Sequence, residues 1–106
     1  RQVRDSFPDS CRRRTLMLVI RDSPYDVRRL SGEEQTRYDA VFPAVVKALE
    51  ANGMAALDVG GGYGVDDYFD IWHLSERGGR RLAEDVAPKV RDLAEKLGYL
   101  SEGDRP

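Results

Sequence analysis

Residues Asp70-Ile71-Trp72-His73 place the only histidine of the chain three positions after an aspartate. Histidine is the side chain whose charge changes near neutral pH, and a carboxylate bonded to one ring nitrogen leaves the other free to accept a proton. Asp70 as orienting acid and His73 as general base are therefore the candidate catalytic residues. Other groups compete for a chemical role. Asp66, Asp67, Asp70 and His73 cluster as carboxylate and imidazole donors that a hard cation accepts, yet one histidine with no partner cysteine argues against structural zinc. A solvated acidic loop is the better account of them, and no metal is expected. Trp72, between acid and base, is expected to pack against the sheet.

These residues need elements to hold them. Leu16 to Ile20 is a continuous apolar run of strand length, as in a strand buried on both faces of a parallel sheet. Ser31-Gly32-Glu33-Glu34 spells a capping box, so a helix follows it, with Tyr38, Val41, Phe42, Val45 and Leu49 as an apolar stripe and Asn52-Gly53 as its stop. Pro43 within that stripe is expected to bend the helix or start a new segment. Met54 to Val59 forms a second apolar run. Strand, helix, strand in this order is a right-handed crossover, which makes the two strands parallel. The loop from Gly60 to Trp72 then leaves the carboxyl end of the second strand, where open α/β sheets bind ligands. A last helix begins near Ser75, buries Leu82, Val86, Val90, Leu93 and Leu97, and ends at Gly98. The domain reading is an irregular lead-in over 1–13, a single α/β domain over 14–100, and a tail over 101–106.

Composition narrows the partners. With 17 Lys+Arg against 19 Asp+Glu the formal net charge is -2, so no basic excess draws the chain onto nucleic acid. The longest apolar run is far too short to span a bilayer. Cys11 is the single cysteine, which rules out an internal disulfide and leaves the compartment undetermined.

The pattern Asp70-x-x-His73-Leu74-Ser75-x-x-Gly78-x-x-x-Leu82-Ala83 resembles the closing block of the SGNH (GDSL-type) hydrolases and acyltransferases. The resemblance covers about the last ninety residues. Within that family it looks closest to the branch of the D-alanyl-lipoteichoic-acid transfer protein and the polysaccharide O-acetyl transfer domains. It implies a flavodoxin-like three-layer α/β/α fold, of which this chain is the C-terminal half. It also implies Asp70 and His73 as triad acid and base, and acyl transfer from an ester or thioester to water or a carbohydrate hydroxyl without a cofactor. The family's Gly-Asp-Ser nucleophile block and its oxyanion blocks have no convincing counterpart. Arg21-Asp22-Ser23 follows a strand but carries arginine in place of the glycine, and Ser23 reads better as part of a Ser-Pro turn. The nucleophile is thus expected outside this chain, and a half-fold with an open sheet edge is expected to meet a partner chain or to self-associate.

Two alternatives stand beside this reading. Leu57-Asp58-Val59-Gly60-Gly61-Gly62-Tyr63-Gly64 resembles the glycine-rich motif of class I S-adenosylmethionine-dependent methyltransferases, which requires a helix directly after the glycines and a further strand. A non-catalytic, hydrolase-derived binding domain would keep Asp70 and His73 only as a structural hydrogen bond.

Overall fold

A computed structural model describes residues 8–100, a mixed helix and strand fold. The greater part of the expected lead-in and the whole of the expected tail lie outside the described residues. A single turn of helix, α1 (Asp9–Arg12), occupies the end of the stretch read as irregular and leads into β1 (Leu16–Ile20). There follow a short α2 (Pro24–Val27), a long α3 (Gly32–Ala51), β2 (Ala55–Val59), a 3-10 turn at Val65–Asp67, and α4 (Glu76–Lys96).

The two strands pair in parallel, with Leu16 opposite Ala55 and Ile20 opposite Val59. One helix covers each face. Because side chains alternate along a strand, Met17, Val19 and Ala56 turn to α3, where Val46, Leu49 and Met54 complete a first cluster. Leu18, Leu57 and Val59 turn the other way, to Tyr63, Tyr68, Leu74, and Leu82 and Val86 of α4.

Local chemistry sets the helix ends. Ser31 Oγ accepts from Glu34 N–H (3.2 Å) while Glu34 Oε1 accepts from Ser31 N–H (2.9 Å), so both bonds of the expected capping box form. No new segment starts at Pro43; α3 runs through it without interruption. Proline removes one donor, and because Pro43 and Asp39, whose carbonyl is left over, are exposed, water can satisfy that carbonyl.

The apolar stripes are narrower than their spacing predicted. Val41 and Val45 on α3 and Val90 on α4 are exposed, whereas Phe42, Val46 and Leu49 face inward. A two-stranded sheet offers too little surface to cover the flanks of a helix. Val90 lies on such a flank, since Leu93 and Leu97 further along α4 are half-buried.

Candidate active site

The loop from Gly60 to Ser75 is tied down at several points. Gly60, at φ +99°, makes the turn out of β2, and a side chain there would crowd Tyr68 Oη. Tyr68 Oη donates to the Arg21 carbonyl (2.7 Å), joining the loop to the end of β1. Ser23 N–H donates to the Ile71 carbonyl (2.9 Å), a second link between the same segments. An antiparallel bridge between Tyr68 and Leu74, with Phe69 N–H donating to the His73 carbonyl (2.7 Å), closes the segment that carries Asp70 and His73.

Inside that segment the aspartate has two tasks. Its Oδ1 accepts from the backbone N–H of Trp72 (2.9 Å) and of His73 (2.8 Å), which fixes the turn. The same carboxylate lies 2.8 Å from Nδ1 of the His73 imidazole. An ionised carboxylate only accepts, so the proton resides on Nδ1 and Nε2 carries the free lone pair. The backbone N–H of His73 first, then that of Trp72, then the imidazole itself hold the Asp70 carboxyl below the usual carboxylate range. His73 is 72% exposed at its side chain, so Nε2 is reachable from solvent.

The first turn of α4 positions the histidine from the other side. Ser75 Oγ accepts from Gly78 N–H (3.1 Å) and donates to the Asp66 carbonyl (2.8 Å), and Ser75 N–H donates to the Asp67 carbonyl (2.9 Å). Gly78 is required by contact: a Cβ there would lie 2.7 Å from the Asp67 carbonyl carbon and closer still to its oxygen. The Leu-Ser-x-x-Gly part of the pattern is thus a latch between helix and loop.

Behind the latch lies a charged group that the spacing of the sequence did not reveal. Asp67 is 1% exposed and accepts from Gly64 N–H (2.8 Å) and Arg81 Nη1 (2.7 Å), with Arg77 Nε at 3.3 Å from its other oxygen. The Gly64 N–H first, then the Arg81 bond and the charges of Arg81 and Arg77, keep it below the usual carboxylate range. Arg81 also stacks on the Tyr63 ring at 4.4 Å. Desolvation and the bond from its hydroxyl to Asp85 (2.6 Å) push Tyr63 well above an ordinary phenol.

At the end of β1, Arg21 is bidentate to Asp58 (3.1 and 2.9 Å), reaches Asp39 (3.1 Å), and lies 4.5 Å over the Phe42 ring. An aspartate inside the apolar run Met54 to Val59 was the available signal, since a charge there requires a partner.

No known family, curated protein or solved structure matches this chain.

The remaining candidates are placed as follows. Ser23 is buried at the same sheet end as Asp70, but its Oγ accepts from Tyr25 N–H (3.3 Å) as the cap of α2. Among the described residues, no hydroxyl is hydrogen-bonded to His73 Nε2. Asp66, Asp67, Asp70 and His73 do not converge: Asp67 turns inward to the arginines, and no group of three such side chains among the described residues could hold a metal ion. Trp72 does not pack on the sheet; it is 68% exposed. The glycines open a loop and a 3-10 turn rather than a helix, and no third strand follows among the described residues. Both departures remove what a methyltransferase cofactor site needs. Cys11 is exposed and free, and no described helix is long and apolar enough to cross a membrane.

Proposed function

We propose that Asp70 and His73 are the acid and base of an SGNH-type serine hydrolase or acyltransferase triad, carried on the C-terminal half of a flavodoxin-like three-layer fold. The nucleophilic serine and the oxyanion donors come from a segment outside residues 8–100. One observation carries this reading: a charged carboxylate on Nδ1, with Nε2 unclaimed and exposed, in the loop that leaves the carboxyl end of a parallel strand.

The chemistry follows from that arrangement. Nε2 takes the proton from the serine hydroxyl as Oγ bonds to the carbonyl carbon of an ester or thioester. The bond to the leaving oxygen or sulfur then breaks, and His73 returns the proton to that atom. Water or a carbohydrate hydroxyl gives its proton to Nε2, attacks the acyl-serine, and releases the serine with the proton restored. Asp70 stays ionised throughout, compensating the imidazolium formed in each half.

The test is hydrolysis of an activated aryl ester by the protein together with its nucleophile segment. His73→Ala lowers turnover by on the order of 10⁴- to 10⁶-fold. An exposed side chain contributes within about 0.5 kcal/mol to stability, so the melting temperature stays nearly constant. Unchanged turnover removes the triad. It would favour the second reading, a binding domain in which Asp70 serves only the turn at Trp72 and His73, a role its two backbone hydrogen bonds already fill.

A further inference from the structure

A cavity of about 270 Å³ opens beside Asp70, walled by Tyr25, Val65, Tyr68, Phe69 and Ile71. Building on the acyl-transfer reading, we infer that this cavity receives the acyl group of the substrate and selects a short, uncharged, apolar one.

Three observations lead there. The first is continuity, since Asp70 both lines the cavity and holds the His73 imidazole, which sets the cavity next to the Asp70–His73 pair. The second is polarity. Most polar groups of the wall are already engaged, Ser23 Oγ with Tyr25 N–H, Tyr68 Oη with the Arg21 carbonyl, and Asp70 with two backbone donors and the imidazole, while the Tyr25 side chain stands at the exposed rim. No basic side chain lines the cavity, and the negative charge of Asp70 opposes an anionic acyl group. What remains on offer is apolar and aromatic surface.

The third observation is size and exposure. An apolar void of roughly 150 Å³ holds a benzene ring, and sites for drug-sized ligands begin near 300 Å³. The volume therefore suits a chain of several carbons or one aromatic ring, and an acetyl group would leave most of it unfilled. Phe69 is 81% exposed and Tyr25 64% exposed at the rim. Large apolar side chains grouped in water beside a reactive pair mark a surface that a ligand covers.

Binding can be read without turnover, so failure of the triad and failure of the cavity are separable. Methyl hexanoate titrated into the chain shifts the NMR methyl signals of Val65 and Ile71 with millimolar affinity, while methyl acetate and the anionic monomethyl succinate bind at least five-fold more weakly. Phe69→Ser, which removes a wall without touching the core, weakens hexanoate at least five-fold. A cavity-filling Val65→Trp, checked for folding by its melting curve, does the same. Equal binding of the three esters, or undiminished binding by Phe69→Ser, overturns the proposal. So do methyl signals that ignore the esters and move only with protein concentration, an outcome that assigns the face to a second copy of the chain.

Discussion

Two adjacent glycines near the start of α4 are expected to respond to alanine in opposite directions. At Gly78 a new Cβ sits 2.7 Å from the Asp67 carbonyl carbon, where ordinary carbon contacts lie at about 3.5–4.0 Å. Helix and loop must part by roughly 1 Å, since both contacting groups are backbone. That displacement carries the Ser75 N–H to Asp67 carbonyl bond from 2.9 Å out of hydrogen-bonding range and strains the Ser75 Oγ to Asp66 bond. Overpacking costs about 1–3 kcal/mol and each lost bond about 1 kcal/mol, against a helix-propensity gain of up to about 1 kcal/mol. Gly78→Ala is thus destabilised by about 2–4 kcal/mol, which lowers the melting temperature by roughly 10–30 °C for a domain of this size. At Gly79 an added Cβ meets nothing within 4 Å, so only the propensity gain of about 0.5–1 kcal/mol remains and the melting temperature rises by several degrees. Circular dichroism melts of the two variants decide the matter. A Gly78→Ala protein melting within a few degrees of the parent, or two variants shifting alike, would refute the latch.

Other expectations follow from the same contacts. Asp70 has a folded pKa depressed below its unfolded value of about 3.9, so its contribution to stability is present above that pH and is lost as pH falls through the folded value. Asp70→Asn therefore melts below the parent at about pH 7, and the gap closes as pH falls through the folded value; a gap that persists in strong acid would contradict the assignment. In ¹⁵N spectra the same variant loses the Nδ1-protonated form of His73 that the parent shows, and identical imidazole spectra would count against the pair. Arg21→Ala strands Asp58 half-buried without its bidentate partner and costs about 2–3 kcal/mol in denaturant unfolding. Arg21→Lys recovers little of this, because an ammonium cannot bridge both carboxylate oxygens and stack on Phe42. A double-mutant cycle with Asp58→Ala should give a coupling above about 1 kcal/mol, and additive losses would show the contact to be inert.

Much of the frame was legible in the residues because it depends on near neighbours. The capping box at Ser31 and the start of α4 after Ser75 each rest on interactions within a few positions, and the strand at Leu16 to Ile20 is marked by its unbroken apolar run. The same holds for Asp70 and His73, whose three-residue spacing is closed by a turn the aspartate itself stabilises. What misled was the breadth of the core. The helical stripes marked Val41, Val45 and Val90 as apolar faces, but whether such a face is covered depends on the width of the sheet opposite, and two strands cannot cover it.

The amino-acid sequence by itself determined the order of the two strands and the two long helices, the parallel pairing of the strands, and the nearness of Asp70 to His73 at the head of the final helix. Tertiary structure alone decided what surrounds that pair. Arg21 met Asp58 across 37 positions, Asp67 met Arg81 across 14, and Ser23 and Tyr25 came to share a cavity with Phe69 and Ile71. The physical reason is one of range. Caps, turns and periodicity are set by groups the chain already holds within a turn of one another, whereas burial of a carboxylate or the walls of a cavity depend on segments that only the crossover and the packing of two helices on one sheet bring together.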